Sequence, residues 1–249
     1  MTSQSSPLRL LARRLGTYTP IDEFDRQALL DLPCTTRTIE PQGYLLREGD
    51  RPTLTAVLVS GFAFRQKLTG GGSRQIVSVL VPGDPVDFQN LYLDEADHNV
   101  QALTMVEAAL IARDDLQELA RVRPAIGRAM FVITLVEASI FREWILNVGR
   151  RPAHARVAHV LCELALRLES QGLADAHGYH LPMTQEQLAD VCGLTPVHIN
   201  RTLKALEARG LIRREKRKVS FPDWQALREV GDFNQRYLHL QTQLAAAPM

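Results

Sequence analysis

Residues 184–210, TQEQLADVCGLTPVHINRTLKALEARG, hold two helix starts eleven residues apart. Thr184 and Gln187 form a capping box, in which each side chain satisfies a backbone N–H the first turn leaves free. Gly193 follows one helix-length later and can take the left-handed conformation that ends a helix. Thr195 is a second N-cap with Pro196 at the first helical position, so a new helix starts at once and runs to Gly210. Its apolar side is Ile199, Leu203 and Leu206. Small Ala189, turn-forming Gly193 and apolar Ile199 have the spacing of a helix-turn-helix. A turn this tight projects the N-terminal end of the second helix outward, where it can enter a major groove.

Charge gathers on the same stretch. Between Gly193 and Phe221, Arg201, Lys204, Arg209, Arg213, Arg214, Lys216, Arg217 and Lys218 stand against Glu207 and Glu215 alone, while the whole chain carries only +1. A basic module on an otherwise acidic chain is the footprint of phosphate contact. The candidate DNA-binding residues are Thr184, Thr195, Pro196, Val197, His198, Asn200, Arg201 and Lys204, with Lys216, Arg217 and Lys218 from a charged turn between two short strands. Arg201 stands away from Ile199, Leu203 and Leu206, and arginine to guanine O6/N7 is the commonest specific base contact.

Upstream, Thr36 to about Arg113 reads as short strands with Gly and Pro punctuation, an antiparallel barrel or jelly roll. Gly70-Gly71-Gly72 falls where a hairpin needs positive φ. Asp114–Arg121 reads as a short helix, and Pro124 opens a longer one to Val148. That helix carries two apolar stripes. Ile126, Met130, Ile133, Ile140 and Trp144 form one; Phe131, Leu135, Ala138 and Ile145 form the other. One must pack on its own roll and the other on something else. We place a dimer seam at Met130, Ile133, Ile140 and Trp144. The pattern breaks at residues 147–152, where we place the hinge. Helical spacing resumes at Ala153, a loop spans 170–183, and Trp224 to Leu244 is again helical in spacing though interrupted by Gly231.

The predicted class is α+β: an amphipathic leader (1–22), a β-roll (23–122), a dimerisation helix (123–149), a winged helix-turn-helix (150–224) and a C-terminal helical extension (225–249). At 249 residues and 45% hydrophobic, the chain can bury the cores of two small domains. No apolar run approaches the roughly 18 residues that cross a bilayer. The Ser- and Arg-rich start lacks the apolar segment of a secretory signal. Three scattered cysteines fit a reduced cytoplasm and no disulfide framework.

The roll motif PQGYLLREGD (41–50), then LVSGFAFRQKLTGGGSRQIVSVLVPGDPV (58–86), the long helix and the 184–210 block together resemble the Crp/Fnr family of bacterial transcription regulators over nearly the whole length. The resemblance implies a cyclic-nucleotide-binding-type roll, a homodimer on a two-fold-related DNA site, and RNA polymerase as a partner. It implies no catalysis. The family's recognition helix commonly has a Glu at the position of Val197, which here could meet a thymine methyl instead; its Arg is retained as Arg201. The roll departs further. Nucleotide-binding members place a Glu and an Arg-Ser pair in the segment that here reads GDPVDFQNLYLDEADHNVQA (83–102). Phe88 falls at the Glu place and His98-Asn99 at about the Arg-Ser place, so cyclic AMP is not expected. Asp87, Phe88, His98 and Asn99 remain the candidate effector-pocket residues.

No cofactor is expected. Four iron–sulfur ligands cannot come from three scattered cysteines. His177 and His180 lack a neighbouring Cys, which makes them a poor metal pair. Two rivals stand beside this reading: the same scaffold as a redox or haem-based gas sensor, and a cupin-like metalloenzyme. The second needs clustered His and carboxylate ligands, and the strand region 36–113 holds a single histidine, His98.

Overall fold

In the computed structural model, which describes residues 6–174 and 178–240, the alternating segments form seven strands. These are β1 (Cys34–Ile39), β2 (Tyr44–Leu46), β3 (Leu54–Ser60), β4 (Ala63–Leu68), β5 (Arg74–Leu80), β6 (Asn99–Ala102) and β7 (Val106–Ala112). They make two sheets, ordered β1-β7-β3 and β2-β6-β4-β5. Ile39, Leu46, Leu58, Leu80, Val100 and Val106 are buried in one apolar cluster. The β3–β4 turn requires Gly61: at φ 78°, a Cβ there would lie 2.1 Å from the Met105 carbonyl oxygen. Gly72 closes the β4–β5 hairpin at φ 81°, as the glycine run predicts.

Part of the leader is helical. Helix α1 (Arg9–Tyr18) buries Leu11 and Leu15, and Leu8 before it is buried as well. Its Arg14 pairs with Asp84 at 3.0 Å, both side chains inaccessible. Helix α2 (Glu23–Leu30) is capped by Asp22, and α3 (Arg113–Val122) leads into α4 (Pro124–Arg150). Helix α4 is long and apolar enough to cross a bilayer by length and composition, which corrects the reading that no segment approaches this. It is nevertheless tied to the roll by an ion pair between Glu137 and Arg65 at 3.1 Å.

The seam is the larger correction. Met130, Ile133, Ile140 and Trp144 are buried within the chain itself, each 5% exposed or less. Phe131, Leu135 and Ile145 are 64%, 51% and 69% exposed. The stripes are those the sequence shows, but the one assigned to the seam is the one the chain buries within itself. Polar partners set which face turns in. Glu137 lies on the face of Ile133, Ile140 and Trp144 and meets Arg65, and the Trp144 indole N–H donates to Glu163 at 3.0 Å. Periodicity alone carries neither fact.

Beyond α4 come α5 (Ala153–Ser170), β8 (Gly178–His180), α6 (Gln185–Cys192), α7 (Pro196–Ala208), β9 (Arg213–Glu215), β10 (Lys218–Ser220) and α8 (Trp224–Val230). The contacts divide into two units. One contains residues up to 67 and 78–138, the other 68–77 and 139–238. The division falls inside α4, earlier than the 147–152 break, and places the β4–β5 hairpin tip in the second unit, where Arg74 meets Asp190 at 2.6 Å. The helical spacing after Trp224 yields α8, which ends at Gly231, and a single 3-10 turn at Gln235–Leu238. His177 and Leu244 lie outside the described residues.

Candidate nucleic-acid interface

The two helix starts form as their residue types demand. Thr184 and Gln187 make the reciprocal capping box, and Gly193 ends α6 in the left-handed region at φ 60°. Thr195 accepts from the His198 N–H and Pro196 opens α7, whose buried residues include Ile199, Leu203 and Leu206. The guanidinium of Arg156, on α5, donates to the carbonyls of Cys192 and Gly193 at 3.0 and 3.4 Å. A cation at these orphan C-terminal carbonyls complements the helix dipole and fixes the turn between α6 and α7.

On the outer side of α7, Pro196, Val197, Asn200, Arg201 and Lys204 share one open depression with Gln185 of α6. Val197 is 81% exposed, an apolar side chain held out on an ordered helix. Gln185 was not among the sequence candidates. It is the first residue of α6 and accepts from the Asn200 side-chain amide at 3.1 Å, bringing the start of α6 beside α7. Thr184 and Thr195 use their hydroxyls as caps, so both place the helices first.

The charged turn is a wing. Strands β9 and β10 pair antiparallel, Lys218 opposite Glu215, and Lys216 turns the chain at φ 55°. Lys216, Arg217 and Lys218 are all exposed. A third strand, β8, pairs with β10 on the other side, within the 170–183 segment for which the sequence predicts a loop. Arg214 is not free for phosphate, because it pairs with Glu207 at 2.6 Å. That hydrogen bond holds the Glu207 carboxyl below its usual range.

In the roll, Asp87, Phe88 and His98 are buried and Asn99 half-buried. His98 Nδ1 is 2.7 Å from Asp97, and Asn99 accepts from the Glu48 N–H at 3.2 Å. Burial pushes the Asp87 carboxyl up, partly offset by the charge of Arg65. Arg65 is the residue the sequence reading missed. It is 4% exposed and donates to the Val86 carbonyl at 2.9 Å, the Pro85 carbonyl at 3.3 Å and Glu137 at 3.1 Å. The available signal is a charged residue inside the apolar run FAFR (62–65), where strict alternation would place it in solvent. Residues 63–66 are in fact all buried.

A second buried polar cluster lies under the helix-turn-helix. Glu163 accepts from Trp144, Arg167 and the Tyr237 hydroxyl, and burial raises its carboxyl pKa. The His159 ring sits between the Gly231 carbonyl and the Tyr237 hydroxyl, 3.3 and 2.9 Å away. Burial, helped by the charge of Arg151, lowers its pKa to about 4. Burial also raises the Cys162 and Cys192 thiols, the latter to about 12. Among the described residues, no three His, Cys, Asp or Glu side chains are grouped to hold a metal.

A roll of two antiparallel sheets, a long helix and a basic winged helix-turn-helix define a DNA-binding transcription regulator with a cyclic-nucleotide-binding-like domain. Residues 36–123 match the cyclic nucleotide-binding domain and residues 155–230 the Crp-like helix-turn-helix domain. The chain is 32% identical to the transcriptional activator protein FnrL of Cereibacter sphaeroides, covering 74% of this chain and 75% of that protein. It is 30% identical to the nitrogen fixation regulation protein FixK of Azorhizobium caulinodans, over 70% of each. Its fold is similar to that of FixK2 from Bradyrhizobium japonicum (TM-score 0.73, 24% identity, covering 80% of this chain and 98% of that one). The chain belongs to the Crp/Fnr family of transcription regulators.

Proposed function

We propose that the protein works as a homodimer that reads a two-fold-related DNA site, in the cytoplasm and in partnership with RNA polymerase, under an effector other than cyclic AMP. The observation that carries the proposal is the presence of two exposed surfaces, one basic and one apolar. The outer face of α7 presents Val197, Asn200, Arg201 and Lys204, and the outer face of α4 presents Phe131, Leu135 and Ile145. The α4 residues, with Ala138 and Arg142, recur at alternating spacings of four and three, the repeat of a two-helix seam. A second copy of α4 would cover them and bring a second recognition helix to the DNA.

The charges of the roll speak against cyclic AMP as the effector. A cyclic phosphate needs a free guanidinium inside the roll. The buried guanidinium there, Arg65, is engaged by Glu137 and two backbone carbonyls, and Phe88 offers nothing to a ribose hydroxyl. Thiol-based redox sensing is disfavoured for Cys162 and Cys192, because their buried thiols stay protonated and the thiolate is the reactive form. The proposal includes no cofactor and no catalytic step.

Selection from a pool of randomised duplexes at a stated salt concentration tests this. The expected product is a motif with two inverted half-sites about one helical turn apart, roughly 34 Å. A single unpaired half-site, or no enrichment, would contradict the dimeric reading.

A further inference from the structure

Two carboxamides touch on the outer face of the helix-turn-helix. Asn200 stands in the second turn of α7, half-buried, and its side-chain amide donates to the Gln185 side-chain carbonyl at 3.1 Å. Gln185 is exposed at the first position of α6. Both line the open depression that also holds Val197, Arg201 and Lys204, so both amides can be reached from outside.

That hydrogen bond defines what Asn200 still offers. A carboxamide carries two N–H donors and one carbonyl oxygen. One N–H goes to Gln185, which leaves one N–H and Oδ1 for a ligand. Adenine is the base whose major-groove edge sets a single acceptor, N7, beside a single donor, the N6 amino group. Guanine shows two acceptors there, and would put an oxygen against Oδ1. Cytosine and thymine each meet only half of the pair.

Gln185 is itself held from behind. Its neighbour Thr184 exchanges two hydrogen bonds with Gln187 in the capping box, and Arg156 fixes the far end of α6 through the Cys192 carbonyl. The acceptor that orients Asn200 therefore projects from a fixed helix start. A side chain ordered before contact loses less conformational freedom on binding.

We propose that Asn200 reads an adenine in each half-site and that Gln185 is its positioning residue. The inference rests on the DNA-binding reading above and adds a base and a residue to it. It concerns a different base from that of Arg201, because a guanidinium complements guanine.

The test is selection from randomised duplexes with the full chain and with Asn200→Ala, Gln185→Ala and Gln185→Glu. The selected duplex is then titrated with adenine or 7-deazaadenine at the position in question. The unmodified chain should select an adenine that Asn200→Ala no longer distinguishes. Replacing its N7 by carbon should weaken binding by the unmodified chain about tenfold, and binding by Asn200→Ala not at all. Gln185→Ala should lower the preference for adenine about threefold. Gln185→Glu keeps the acceptor, so it should keep the preference while its charge weakens binding to every duplex. A pair that only clasps α6 to α7 would lower the melting temperature of the alanine variants and leave the motif as it was. That result would overturn the proposal, as would equal binding of the two duplexes by the unmodified chain, a measurement that needs no variant to fold. An adenine preference unchanged in Gln185→Ala would remove Gln185 as its positioning residue. No enriched motif from the unmodified chain would instead overturn the DNA-binding reading, and this inference with it.

Discussion

On the outer face of α7, Arg201 and Lys204 stand in solvent, while inside the roll Arg65, Asp87 and His98 are each less than a tenth exposed. The first arrangement leaves charge available to a polyanion. The second consumes it: Arg65 is bound by Glu137 and by the carbonyls of Pro85 and Val86. One region holds its cations out in solvent while the other pairs its cation within the roll. The difference teaches that a cation's neighbours decide whether its charge is available to a ligand.

Substitutions on the two faces of α4 give the largest effects. Ile133→Glu puts a charge into the subunit's own interior and should cost about 4 kcal/mol or more, read as loss of cooperative unfolding. Leu135→Glu changes only the outer face. It should leave the fold intact and raise the dimer dissociation constant by about a hundredfold, read by sedimentation. Folded monomers from Ile133→Glu would restore the original seam.

Glu163→Ala tests the polar cluster under the helix-turn-helix. It strands Trp144, Arg167 and Tyr237, and should cost about 3–5 kcal/mol in urea unfolding. A loss below about 1 kcal/mol would show that the cluster is not structural. Its neighbour His159 makes stability pH-dependent. A folded pKa of about 4 lies below the unfolded value of 6.5, so the stabilisation is complete above pH 6.5 and is lost as the pH falls toward 4. About 3 kcal/mol is at stake. Glu163 and Asp87, whose carboxyls burial raises, oppose this trend. The pH slope of the unmodified protein minus that of His159→Phe therefore isolates the histidine, and identical slopes would remove it.

Arg65→Met leaves Glu137 without its cation and should cost about 2 kcal/mol, less than a fully buried pair because Glu137 keeps some solvent. Adding Glu137→Leu should recover most of that loss. A double variant as unstable as the sum of the singles would mean that the two side chains do not act as a pair.

What the sequence made legible was local. The capping box at Thr184, the left-handed Gly193 and the Thr195-Pro196 start depend on neighbours a few positions away, and all form as the residue types dictate. The strands of the roll were legible for the same reason. The inward face of α4 was not, because it is chosen by Arg65, 72 residues away, and by Glu163, 19 residues away. Nor was β8, a three-residue strand made by pairing with β10 across the domain.

The central claim is that the outer face of α7 reads sequence while the wing only holds the backbone. It is tested most directly by repeating the duplex selection with Arg201→Ala and with Lys216→Ala. Arg201→Ala should lose about 1–3 kcal/mol per half-site at the preferred sequence and relax base preference at one position in each half-site. Lys216→Ala should keep the motif, weaken every sequence alike and lower the salt slope by about one. A motif unchanged by Arg201→Ala, or altered by Lys216→Ala, would contradict the account.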